Sequence, residues 1–134
     1  MALMKLGKYA PWGLTILRIA LGITFMMHGY QKWFVYGIGG VEKGFAAMGI
    51  PVPGISAIVV ATVEFAGGLL LVLGLFTRYA AILLAVVMLV AMTQVHLPAG
   101  FFLPQGYEFT FNLLAALIAI LLCGPGAAAL DRRR

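Results

Sequence analysis

His28 and Lys32, in the stretch "HGYQK", stand four residues apart, and Glu108 and Asn112 repeat that spacing in "EFTFN". On a helix each pair shares one face. Arg18, Glu64, Gln94, His96 and Tyr107 complete a sparse set of polar groups set among long apolar runs. Ammonium and imidazole groups can donate to a carbonyl oxygen, and a carboxylate can take up a proton. Together these residue types suit a small ligand bearing a polar headgroup. Each also has an ordinary reading. Glu64 could neutralise Arg18 as an ion pair joining two helices, and that role can coexist with a ligand or proton role. His28 and Lys32 could snorkel at an interface. His96, just before Leu97-Pro98, could cap a helix end. A metal set of His28, His96, Glu64 and Glu108 would draw on separate elements with no local ligand motif, so no metal is assigned.

The elements that must position these groups follow from composition. The chain is 63% hydrophobic and 10% charged, whereas soluble domains are about 25% charged. Lipid is therefore the expected solvent for most of its surface. A span needs about 20 apolar residues, and four candidates fit, at about 12–33, 55–76, 79–95 and a short one at 109–123. The expectation is an all-α integral membrane bundle of four antiparallel helices, forming a single domain. Residues 34–54 make a glycine-rich link that Pro51 and Pro53 keep from being one helix, with "KGFAAMG" as a short interfacial helix. Residues 96–108 form an apolar loop expected to fold onto the bundle.

Lys5, Lys8, Arg78 and Arg132–Arg134 fall on one side of such a bundle, and Lys32 and Lys43 on the other. Basic residues concentrate on the cytoplasmic side. The reading is an inner-membrane protein with both termini cytoplasmic and "FTRY" as a tight turn, in which Arg78 sets topology. The N-terminal lysines before an apolar run suggest a signal peptide, but the run is too long, carries Arg18 and lacks a suitable cleavage site, so a retained helix is expected. The net charge of +5 comes with no groove-reading motif, which points to anionic headgroups and away from nucleic acid. One cysteine, Cys123, excludes an internal disulfide and reads as a small buried hydrophobe.

Heights along the spans bring the polar groups together. Counted from the ends assigned to the cytoplasm, Glu64 and Asn112 lie roughly 18 Å up, His28 and Gln94 roughly 23–24 Å, and Arg18 roughly 9 Å, with His96 and Glu108 near the outer interface. All four spans thus contribute to the outer half of the bundle. Gly67 and Gly68, one turn after Glu64, allow a neighbouring backbone to approach closely.

The stretches "LRIALGITFMMHGYQK", "MGIPVPGISA", "EFAGGLLLVLGLFTRYAA" and "GYEFTFNLLAALIAILLCGPGAAALD" cover most of residues 17–131. In that order they resemble the DoxX family of small bacterial membrane proteins. The resemblance implies a four-helix bundle associated with membrane redox work. The related DoxD type is a subunit of a thiosulfate:quinone oxidoreductase, and other members are linked to oxidative-stress and thiol systems through soluble partners. Paired cysteines found in some relatives are missing here.

Two classes of function follow. In the first, the outer polar cluster binds a small molecule such as a quinone headgroup. Lys32, His28 or His96 would donate to it, Glu64 or Glu108 would exchange protons, and Tyr107 would be among the flanking aromatics. No flavin, haem or nicotinamide motif is present, so electrons would come from a soluble or membrane redox partner. In the second, the chain is a non-catalytic scaffold or, ranked lower, a small-molecule permease. A homodimer is compatible with its large lipid-facing surface. The topology has a direct check: reporters fused at Arg78 and at Gly106 should fall on opposite sides of the membrane, and a common side would refute the arrangement.

Overall fold

A computed structural model describes residues 2–131. Arg132–Arg134, assigned above to the cytoplasmic side, lie outside the described residues. A 3₁₀ segment, Leu3–Tyr9, runs without interruption into α1, Ala10–Tyr30, which ends in a wider π turn at Gln31–Val35. α2 spans Gly37–Ala47 and α3 Pro53–Leu73. α4 spans Thr77–Val90 and continues through a second π turn, Ala91–His96, and a 3₁₀ turn, Leu97–Ala99; α5 spans Glu108–Cys123. No strand occurs among the described residues.

Three stretches are long and apolar enough to cross a membrane, Leu3–Val35, Pro53–Leu73 and Thr77–Ala99, and Glu108–Cys123 is a shorter apolar helix. The protein is an all-α membrane helical bundle. α5 has 16 residues, about 24 Å at 1.5 Å each, short of a hydrocarbon core of about 30 Å. Several boundaries differ from the sequence reading. The first helix starts well before Trp12, and the third runs to Ala99 because Pro98 sits in the first turn of its 3₁₀ end, where no N–H is needed. Between the first two spans, α2 has 11 residues, beginning before "KGFAAMG".

Local chemistry explains the turns. Pro53 sits at the first position of α3, where its fixed φ is already helical. α3 stops at Gly74, whose φ of +65° is left-handed. The Leu75 N–H then reaches back to the Leu70 carbonyl at 3.0 Å, closing the last turn. The chain re-enters a helix only three residues later, so α3 and α4 are antiparallel neighbours.

The register of α1 against α3 is set by glycine. A Cβ on Gly22 would lie 2.6 Å from the Gly68 carbonyl oxygen, and one on Gly29 would lie 2.7 Å from the Phe65 Cα. The two backbones therefore touch at two levels, as small residues permit in membrane helices. On the other face of α3, a Cβ on Gly67 would lie 3.2 Å from the Leu84 side chain of α4. The buried core, including Leu21, Phe25, Leu71, Leu84, Leu117 and Ile120, lies among α1, α3, α4 and α5. Ile16, Ile58, Leu83 and Leu122 are exposed, as expected for side chains that face lipid. Because Gly22 and Gly68 meet backbone, Gly22→Ala or Gly68→Ala should each destabilise the protein by about 1–3 kcal/mol in a detergent unfolding assay. Gly13 has no atom within 4 Å of an added Cβ. Gly13→Ala should leave stability unchanged or raise it by up to about 1 kcal/mol.

Candidate functional site

The α1–α3 register decides which charges meet. Lys32 leaves the π turn that ends the first span and donates to Glu64 Oε2 at 2.7 Å. The Glu64 side chain is 5% exposed and that of Lys32 18%. The pair is thus held at the edge of the packed interior, with its lysine end reachable. Glu64 Oε1 accepts no hydrogen bond from any described residue.

Arg18 is paired differently from the sequence expectation. It does not meet Glu64. Its Nε donates to the Leu71 carbonyl at 2.8 Å, and its Nη atoms donate to the carbonyls of Pro125 and Ala128. The reason is vertical. Gly29 lies level with Phe65 and Arg18 level with Leu71. The 11 positions from Arg18 to Gly29 separate Arg18 from Glu64's level by roughly 16 Å, beyond the reach of one side chain. Lys32 is the cation at the height of Glu64.

Around Arg18, segment 124–131 wraps the end of the bundle. Ala127 donates to the Pro11 carbonyl at 3.0 Å and Ala128 to Thr15 Oγ1 at 3.2 Å. Leu130 and Asp131 donate to the carbonyls of Leu73 and Gly74 at 3.2 and 2.8 Å. Asp131 then accepts from the Phe76 and Thr77 N–H groups at 2.7 and 3.0 Å. In effect Asp131 caps α4 from 54 residues away in sequence, satisfying N–H groups that open a helix. Burial works against its charged form, but the adjacent Thr77 hydroxyl, these two N–H groups and the charge of Arg18 outweigh it. Its carboxyl is held below the ordinary range. The Thr77 hydroxyl is itself buried without a well-formed hydrogen bond. None of these roles was assigned from sequence; the only signal was the "GPG" ahead of Asp131.

The other expected site residues cluster loosely at the Lys32–Glu64 end. His28 is exposed; its Nδ1–H donates to the Thr24 carbonyl at 2.8 Å, and its ring lies 6.4 Å from that of Phe109. That places His28 beside the start of α5, where Glu108 is half-buried. Asn112 Nδ2 bonds the Glu108 carbonyl at 2.8 Å and so serves its own helix. Tyr107 packs edge-on against Phe101, with ring centroids 5.3 Å apart. His96 Nδ1–H donates to the Gln105 carbonyl at 2.9 Å, pinning the loop rather than capping a helix. Gln94 is exposed in the second π turn. The fold thus brings Lys32 and Glu64 into contact and His28 within reach of the α5 start. Gln94, His96, Tyr107, Glu108 and Asn112 stay at the same end without joining the pair. Among the described residues no three His, Cys, Asp or Glu groups converge as a metal set. Cys123, expected to be buried, is exposed at the last position of α5, because segment 124–131 turns from there toward Arg18 and packs elsewhere.

A pair of double-mutant cycles separates the two charges of α1. Lys32→Met combined with Glu64→Gln should show a coupling of about 0.5–3 kcal/mol in detergent unfolding, whereas Arg18→Leu with Glu64→Gln should be additive to within about 0.5 kcal/mol. Strong coupling in the second cycle would contradict the observed pairing.

Comparison with known proteins gives a consistent picture. The DoxX family profile matches residues 13–97. An uncharacterised protein of Haemophilus influenzae is 35% identical over 133 residues, covering 96% of this chain and 96% of its own. A Bacillus subtilis protein named as a candidate oxidoreductase, CatD, is 35% identical over 119 residues, covering 89% of this chain and 84% of its own. The inner membrane protein YphA of Escherichia coli is 32% identical over 133 residues, covering 95% and 94%. No solved structure matches the chain significantly. With a family match over most of its length and a bundle of apolar helices, the chain belongs to the DoxX family of membrane proteins.

Proposed function

We propose that this chain binds a small redox-active molecule of quinone type at the Lys32–Glu64 end of the bundle and works with a redox partner protein in the bacterial inner membrane, its termini on the cytoplasmic side. The observation that carries this reading is the ion pair itself. A carboxylate with only 5% of its side chain exposed keeps one oxygen unpartnered, next to a lysine that is still reachable. A largely buried ionisable pair inside apolar membrane-spanning helices is costly and points to function. The donor set suits a quinone: Lys32 can donate to a carbonyl oxygen, and Glu64 can accept from a hydroxyl. Both π turns lie at this end, and such turns are frequent at functional sites. The name of the Bacillus subtilis relative adds support for redox work, and that of YphA for the inner membrane.

A scaffold role has one observation in its favour: at 2.7 Å Lys32 and Glu64 already satisfy each other and could simply join α1 to α3. A permease ranks lower. It needs a polar path to both ends, and at the far end Arg18 is taken up by backbone carbonyls. Thermal unfolding in detergent with a short-chain quinone distinguishes these readings. At a quinone concentration about 100 times its dissociation constant, the wild type should gain about 2.7 kcal/mol, seen as a raised melting temperature. Glu64→Gln should lose that gain. A melting temperature insensitive to quinone would leave the scaffold reading standing.

A further inference from the structure

The two ends of the bundle differ sharply in charge. At the Lys32–Glu64 end the sequence has two cations, Lys32 and Lys43, and three carboxylates, Glu42, Glu64 and Glu108. At the Arg18 end stand Lys5, Lys8, Arg18 and Arg78, and the sequence adds three arginines directly after Asp131, the sole acid there. Asp131 is consumed by the α4 N–H groups. Lys5, Lys8 and Arg78 have no carboxylate partner among the described residues. Arg78 is exposed and gives its Nε to the Leu121 carbonyl at 3.0 Å, which holds its stem against the bundle while its charge stays unneutralised.

Aromatic and apolar side chains mark this end as one that lies at headgroup height. Tyr9 and Trp12 are exposed beside Lys8, and Tyr79 is exposed beside Arg78. Such rings gather at the membrane–water interface. Lys8 Nζ lies 5.0 Å from the centre of the Tyr9 ring, so cation and ring share one level. Leu3, Met4 and Leu6 are exposed along the same 3₁₀ segment as Lys5 and Lys8. That segment can lay its apolar groups among acyl chains and lift its ammonium groups to the phosphates.

We propose that the Arg18 end is a binding surface for anionic phospholipids, in which Lys5, Lys8 and Arg78 engage lipid phosphates. Charge complementarity argues for this occupant: a cluster of cations at headgroup height with its only acid taken up internally. The consequence is a lipid requirement localised to one end of the protein.

The test uses the full-length protein in neutral detergent, titrated with phosphatidylglycerol or phosphatidylcholine, and counts co-purified lipid by native mass spectrometry. Phosphatidylglycerol should be retained at least about tenfold over phosphatidylcholine, and ~1 M salt should remove the preference. Each neutralised cation should weaken retention about fivefold. Lys5→Gln with Lys8→Gln changes exposed side chains without touching the packed bundle, so that double variant should fold and lose most of the preference. Arg78→Gln should lose it further, while Lys43→Gln, at the opposite end, should keep it in full. Equal retention of the two lipids by wild type, an unchanged preference in the Lys5/Lys8 variant, or an equal loss in Lys43→Gln would each overturn the proposal.

Discussion

A guanidinium buried to 1% exposure organises one whole end of this protein. Among the described residues Arg18 has no carboxylate in contact; it is held by three backbone carbonyls from two distant parts of the chain. A hydrogen bond to a charged group contributes about 1.5–3 kcal/mol, and a buried charge without its acceptors costs more than that gain. Segment 124–131 must therefore sit where it does. Once it is there, Asp131 arrives at the start of α4 and supplies the acceptors that its first N–H groups need. A single buried cation thus ties α1, the end of α3, the start of α4 and the tail after α5 together.

Glycine contacts do the corresponding work along the length of the bundle. In lipid the hydrophobic effect does not press helices together, so close backbone approach and polar contacts must. Gly22 against Gly68 and Gly29 against Phe65 fix one vertical register for α1 and α3. That register leaves Arg18 and Glu64 at opposite ends and gives each its own partner. It also sorts the chemistry: the Arg18 end is saturated by backbone, while the Lys32–Glu64 end keeps an unpartnered carboxylate oxygen. Both π turns fall at this second end, where a wider turn lets Lys32 reach across to α3.

Much of the candidate site was legible as a list and illegible as a set of contacts. The four-residue spacings of His28 with Lys32 and of Glu108 with Asn112 put each pair on one helix face, and heights along the spans put them in one half of the bundle. Height counting left roughly 9 Å between Arg18 and Glu64, a gap that a long side chain and helix tilt could bridge, whereas the glycine register widens it to roughly 16 Å. His96 looked like a helix cap, and the folded-back loop gave it the Gln105 carbonyl instead. Asp131 stood in the family-like stretch but had no role assigned, because its partners are backbone N–H groups 54 and 55 residues earlier.

What the sequence alone determined was the class, the family and the approximate spans. Membrane insertion is a local demand: each segment must carry its own apolar length, so hydropathy reads it directly. The helix ends at Pro53 and Gly74 are set locally too, since fixed or left-handed φ values belong to single residues, although the sequence reading carried that span from about 55 to 76. Tertiary structure alone decided the partners of the buried charges. Carbonyl acceptors such as those of Leu71, Pro125 and Ala128 exist at every residue and leave no mark in the side-chain code. Which of them meets Arg18 depends on helix register and on the path of the tail, and both are set by contacts between distant residues.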